Sequence, residues 1–424
     1  MTYFTIILPL ALRNLRRQIR RTALTASAMI IGGALLIFTL SFGDGAHEQW
    51  IDSGVRQDSG HITIERPNFR ITRKIEDRLP EQIRLTAEQA IETLRSTGYI
   101  DTASSKLTVL GLASSPAGAR PVQIIGVDPV SEALFTTLDD LTIEGRYLES
   151  TDTLAAFVGI GLMRSLDLEI GSRLVLTAQD TTNEIAGQLV RVTGAFETGV
   201  EAADQSLVHI PINTANDWLT ANNAVTNIGI LVEPSHVAPQ ISSQLQQILG
   251  ASLSMRDVAV MNWKEAMPEL ASAVMIDDFG AYVVNGLLLI VIAFGIINTV
   301  LMSVLHRHRE FGVLQALGLS PKQTSAIVLS EGLVLTTVSG VLGIVISISL
   351  SRYFLGDGID LSALVPEGSE ISGTTIDPVV IPMFRTARIV QSFGWILVIG
   401  LISSIYPAVR ASRIDITESM KFDR

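Results

Sequence analysis

The run FGAYVVNGLLLIVIAFGIINTVLMSVL fills residues 279–305 and leads directly into HRHREFGVLQALGLSPKQ at 306–323. Its 27 residues carry no charge, a length that crosses a bilayer with some tilt. Arg307 and Arg309 at its end predict that this end faces the cytoplasm, where Lys and Arg accumulate. A short helix should follow, with Phe311, Val313, Leu314 and Leu317 forming an apolar stripe toward a partner or the membrane. Gly318 is a fitting stop for it. Ser320-Pro321-Lys322-Gln323 reads as a new helix start, with Ser as cap, Pro at the first helical position and Gln completing a capping box. A span, a short cytoplasmic helix and another span make a place where a soluble partner could push on a membrane domain.

The rest of the 424-residue chain agrees with that frame. It is 47% hydrophobic and 17% charged, with a mean hydropathy of +0.39. That is too apolar for an ordinary soluble enzyme and too polar for a chain held wholly in lipid, so a few spans plus a sizeable soluble domain are expected. Net charge is −11, yet the basic residues gather beside the apolar runs, which argues for membrane orientation and against a nucleic-acid surface. The absence of Cys excludes disulfides, thiolate metal sites and a Cys nucleophile.

Residues 1–21 read as an interfacial cytoplasmic segment ending in Arg13, Arg16, Arg17, Arg20 and Arg21. Residues 22–43 are uncharged and form the first span. A cleaved secretory signal is the rival reading, opposed by the length of the apolar run and by the lack of a clean small-x-small site. Between 44 and 278 no run is long enough to cross a membrane. Strand patterns appear at 61–65, 106–112, 120–127, 173–177, 188–196, 205–210 and 227–232. Helical ones appear at 85–97 (capped by Thr86), 159–168 and 237–249. An extracytoplasmic α+β domain between the first two spans follows from the basic flank of the first. Residues 279–305 form the second span, 306–322 a cytoplasmic connection and 323–351 the third span. A Gly- and Pro-rich outer loop at 352–388, a fourth span at 389–409 and a basic tail at 410–424 complete the chain. The expected architecture is thus an α-helical membrane protein of four transmembrane helices plus a large α+β domain, both termini inside.

Chemistry-bearing motifs are few. No phosphate-binding Gly-x-x-x-x-Gly-Lys loop, no Gly-x-Ser-x-Gly and no His-Glu-x-x-His occurs, so neither ATP binding, a catalytic site nor a cofactor is expected in this chain. His306 and His308, two apart, fall on different helix faces and do not make a metal pair. Glu331 is the ionisable residue within a span, which makes it a candidate for transmission or partner contact. The plainer reading is a side chain near the headgroups, reaching water or Lys322. Gly32, Gly33, Gly286, Gly295, Gly340, Gly343 and Gly400 would allow close helix contact, and Asn285 and Asn298 could hydrogen-bond between helices. Four spans without a polar file make a poor closed channel, so a second copy or a relative is expected beside this one.

The order of one span, a large outer domain and three spans resembles the FtsX-like or MacB-type permeases of ABC transporters, most closely the lipoprotein-releasing type (LolC/LolE). The resemblance rests on Arg309-Glu-Phe-Gly-Val-Leu-Gln-Ala-Leu-Gly-Leu-Ser-Pro-Lys322, on Arg13-Asn-Leu-Arg-Arg17 with Arg21-Thr22, and on Ser59-Gly60-His61-Ile62. Asn262-Trp263, Tyr406-Pro407-Ala408 and Arg410-Ala411 add to it, while Ile416 stands where proline is usual. It implies that Arg309, Glu310, Phe311, Gly312, Val313, Leu314, Gln315, Leu317 and Gly318 couple to a separate dimeric ABC ATPase that binds ATP and Mg. It also implies pairing with a second permease, identical or homologous, in a bacterial inner membrane. Closure of the pair would be passed to periplasmic domains by mechanotransmission. In the lipoprotein-releasing type, the acyl chains of a lipoprotein would enter between the first and second spans and pass to a periplasmic carrier. A MacB-type efflux permease working with a periplasmic adaptor, or an FtsX-like regulator of cell-wall hydrolases, are the alternatives.

Overall fold

The computed structural model describes residues 19–57, 59–253, 257–364, 370–371, 374–375 and 378–414. The arginine-rich stretch at 13–17 and the tail from 415 onward, Ile416 included, lie outside the described residues. Internal contacts divide the chain into two units. One comprises Met1–His47, Ile276–Asp360 and Val379–Arg424, the other Glu48–Met275 and Leu361–Pro378.

Among the described residues, four helices are long and apolar enough to cross a membrane: Ile19–Gln57, Pro268–His306, Pro321–Phe354 and Thr386–Ser412. The first two have 39 residues each. At about 1.5 Å per residue that is roughly 58 Å, nearly twice the ~30 Å hydrocarbon thickness. The uncharged runs 22–43 and 279–305 are therefore parts of longer helices. Asp44, His47, Asp277 and Asp278 interrupt the apolar character, but no proline interrupts the backbone hydrogen bonds. The third helix begins as its sequence requires: Ser320 Oγ accepts from the Gln323 N–H, and the Gln323 side chain accepts from the Ser320 N–H.

Small residues set how closely these helices approach. A Cβ at Gly343 would lie 3.0 Å from the Ile30 carbonyl oxygen of the first helix, and one at Gly32 would lie 2.9 Å from the Ile292 side chain of the second. A Cβ at Gly400 would lie 2.8 Å from that of Thr336. Gly286 and Gly295 do not serve as contacts, with nothing within 4 Å of the added atom. Of the two asparagines, Asn285 accepts a 2.9 Å hydrogen bond from the Thr39 hydroxyl, joining the first and second helices, whereas Asn298 is exposed.

The other unit is built on one ten-stranded mixed sheet. Its strands are β1 (Ile62–Glu65), β2 (Ile100–Ser115), β3 (Gly118–Val127), β4 (Thr142–Gly145) and β5 (Ala155–Gly159). The set continues with β6 (Arg173–Gln179), β7 (Ile185–Phe196), β8 (Leu207–Pro211), β9 (Asn227–Val232) and β10 (Ala259–Asn262). Their order is β10-β1-β9-β2-β3-β8-β5-β7-β4, with β6 pairing with β2 and β7. Strand β2 belongs to both halves: its first residues pair with β9 (Ser104 opposite Gly229) and its last with β3 (Leu107 opposite Gly126). Each half has its own core. Helices Glu81–Arg95 and Ala238–Ser252 bury Ile91, Leu94, Ile241 and Leu245 with Ile64 and Ile230 of the sheet. Leu107, Val109, Ile124, Val158, Leu162 and Leu176 fill the second core.

Two sequence expectations change here. The helix placed at 85–97 begins at Glu81, because Leu79 pairs with Val225 and Pro80 ends the extended segment one residue before it. Thr86 is therefore no cap; its hydroxyl donates to the Gln82 carbonyl inside the helix. The strand placed at 205–210 begins at Leu207, since Gln205 and Ser206 close the helix Glu201–Ser206. The Ser59-Gly60-His61 motif has a structural reason. Gly60 sits at φ +72, and a Cβ there would lie 2.6 Å from the Ile230 backbone nitrogen, so only glycine fits. Buried His61 accepts from the Val232 N–H and so ties β1 to β9.

Candidate functional site

Residues 306–323 contain a nine-residue helix, His308–Ala316, between the second and third long helices. Gly318, at φ +102, lets the chain turn into the Ser320 cap, and its N–H donates to the Gln315 carbonyl.

The apolar stripe expected on this helix is divided between two faces. Phe311 is fully buried and Leu314 packs beside it, against Val300, Val304, Ile327, Val328 and Ala408 of the long helices. Gly312 is buried as well. Gln315 spans the next gap, with its amide 3.3 Å from the Thr324 hydroxyl and 3.4 Å from the Ala411 carbonyl. Val313 is 45% exposed and Leu317 80% exposed, with Arg309 and Glu310 exposed on the same side. Residues 309, 313 and 317 are successive i, i+4 positions, so they form one outward ridge. Gly318 is exposed at its end.

Glu331 does not reach Lys322. It is 6% exposed and its Oε1 lies 2.6 Å from Nη1 of Arg307. The same guanidinium donates from Nε to Glu310 at 2.8 Å and stands 4.9 Å above the Phe311 ring. Arg307 thus joins the end of the second helix to the short helix and to the third. Reasoning from sequence counted it only as an orienting charge, although its i, i+3 spacing to Glu310 was visible. The 24-residue reach to Glu331 was not.

Among the described residues no three His, Asp or Glu side chains converge as metal ligands. A half-open cleft of about 770 Å³ in the sheet unit is bordered by Arg56, Gln123, Leu138, Val200 and Met267. Its one described carboxylate, Asp52, is paired with Arg56 at 2.8 Å, and no His lines it. Beneath helix Pro129–Thr136 of that unit, Lys106 and Glu132 make a fully buried pair 2.9 Å apart, with Ser104 donating to the carboxylate at 2.6 Å and the Phe135 ring 4.4 Å from the ammonium. Such a pair fixes the helix on the sheet and carries no accessible reactant.

Two family models match this chain. The family model of the MacB-like periplasmic core domain matches residues 22–248, and that of the FtsX-like permease C-terminal region matches 282–416. A macrolide export ATP-binding/permease protein MacB from Azoarcus sp. is 25% identical over 96% of this chain, and the chain spans 58% of that protein's length. The lipoprotein-releasing system transmembrane protein LolC of Neisseria meningitidis serogroup B is 22% identical, covering 72% of this chain and 74% of its own. The crystal structure of the periplasmic region of MacB from Actinobacillus actinomycetemcomitans aligns with 47% of this chain and 87% of its own, at 15% identity and a TM-score of 0.33. With the first of those models covering more than half of its residues, this chain belongs to the FtsX-like/MacB superfamily of ABC transporter permeases.

Proposed function

We propose that this chain is a non-catalytic permease subunit driven by a separate dimeric ABC ATPase, which binds ATP and Mg and docks on the ridge Arg309, Glu310, Val313 and Leu317. The observation that carries the reading is the two-sided character of helix His308–Ala316. One side offers exposed apolar and charged groups, while Phe311, Leu314, Gln315 and Arg307 hold the other to three long helices. A force applied to the ridge would move those helices rather than bend the short one.

In this reading the short helix and both termini are cytoplasmic, the sheet unit is periplasmic and the membrane is the bacterial inner membrane, an orientation supported by the Arg-rich inner flanks. The core of the spans holds no charged file, and the buried Glu331 is neutralised by Arg307. That favours mechanotransmission between two permeases, identical or homologous, over conduction through one. The cargo is a lipid-anchored protein, drawn between the first and second spans and handed to a periplasmic carrier. The LolC relative supports this choice. A second reading, efflux with a periplasmic adaptor, is favoured by the macrolide-export relative.

The test is reconstitution of the chain with its ATPase in proteoliposomes holding either an acylated reporter protein or a macrolide. ATP-dependent release of the reporter supports the first reading, and macrolide movement alone supports the second. Failure of Leu317→Asp to weaken ATPase binding would remove the docking ridge.

A further inference from the structure

Three contacts between the first and second long helices differ chemically. Gly32 meets Ile292 through alkyl contact, Thr39 meets Asn285 through a neutral hydrogen bond, and His47 Nε2 meets Asp277 at 2.7 Å. Only the third can change its charge. The His47 side chain is 9% exposed, and its Nδ1 lies 3.8 Å from Asp278. Arg388 of the fourth long helix holds Asp44 at 3.3 Å and also lies 3.8 Å from Asp278.

From this geometry we propose that His47 is a proton-operated latch on the seam between the first and second helices. A protonated imidazole ties the seam through Asp277 and Asp278, and a neutral one loosens it. The surrounding charges set the direction. Asp44 and, next along the chain, Glu48 come from the first helix, Asp277 and Asp278 from the second, and Arg385 and Arg388 from the start of the fourth. Four carboxylates stand against two guanidiniums, so a positively charged ring meets an excess of negative charge. Imidazole is the side chain whose charge ordinarily changes between about pH 5 and 8. The Asp44–Arg388 contact holds the first helix to the fourth, whereas the first-to-second seam carries the imidazole. The inference rests on the proposed function only in what the seam would admit. In that reading a lipid-anchored cargo passes here, and acid would slow it.

The chain has no cysteine, so spin labels can be placed cleanly at Leu35→Cys and Leu287→Cys. Both positions are exposed, and each lies about one turn or less from the Thr39–Asn285 contact. Pulsed EPR on the full chain in lipid nanodiscs at pH 5.5 and 7.5 reads the separation of the two helices. The expected result is a wide-separation population at least about twofold larger at pH 7.5. His47→Gln should make the distribution the same at both values. If that variant does not fold, Asp277→Asn, altered at a half-exposed carboxylate, should shrink the pH response instead. A wild-type distribution that ignores pH overturns the latch, as does an unchanged response in a folded variant. The measurement needs no ATPase and no cargo, so a transport assay can fail without touching it.

Discussion

Arg307 and Glu331 are 24 residues apart in the chain and meet at 2.6 Å, each nearly closed off from solvent. A pair of this kind resists loss of one member more than loss of both. Breaking a buried pair costs about 3–5 kcal/mol, because a charge is left without its partner, whereas apolar residues of similar volume are often tolerated. Glu331→Gln should therefore lower the thermal stability of the purified chain markedly, and Arg307→Met with Glu331→Met should recover most of it. If the pair also transmits force, the double variant will bind ATPase normally yet lose ATP-driven release. A double variant that is stable and fully active would show that the pair only supports the fold.

Leu314 and Leu317 are three residues apart on one short helix and should behave as opposites. Leu317, 80% exposed, tolerates Asp without loss of stability, and the change should weaken ATPase binding at least about tenfold. Leu314 packs on the bundle core, where Asp would bury an unpaired charge and unfold that end of the bundle. Melting curves and pull-down with the ATPase separate the two. Equal behaviour of the two variants would contradict the division of faces.

Why the chain could be read so far from its letters, and no further, follows from the range of the forces involved. Span positions rest on uninterrupted apolar runs, and the Ser320–Gln323 box is closed within four residues, so both are local. Helix ends hidden under polar residues are not: Asp44 and Asp277 end the lipid-compatible stretch while the helix continues. The inward turn of Phe311 and Leu314 depends on Ile327, Val328 and Ala408, which lie far along the chain. Arg307 looked like an orienting charge because its partner sits on another helix.

Lys106 and Glu132 offer a second test of burial in the sheet unit. Both are closed off, with side chains 2% and 0% exposed, and Ser104 completes the carboxylate. Lys106→Met alone should cost about 3–5 kcal/mol and loosen helix Pro129–Thr136. Hydrogen exchange would then rise in residues 129–136 before it rises in β9. Unchanged protection there would mean that the ion pair does not hold the helix.

His209 on β8 gives a stability change tied to pH. It is 1% exposed and its Nδ1 has no hydrogen-bond partner. Burial pushes its imidazole down to about 4, against the pull of Glu132 and with the push of Lys106. The folded state therefore holds a neutral ring that the unfolded chain protonates near its ordinary value of about 6.5. The contribution is fully present above about pH 6.5 and is lost as pH falls toward 4, to a total of about 3 kcal/mol. Melting temperatures of the full chain between pH 7.5 and 4.5 should fall more steeply for the wild type than for His209→Gln, which keeps a polar side chain and has nothing to titrate. Parallel slopes would mean that the unfolding of this unit is not linked to that proton. Buried carboxylates would then have to account for any acid sensitivity that remains.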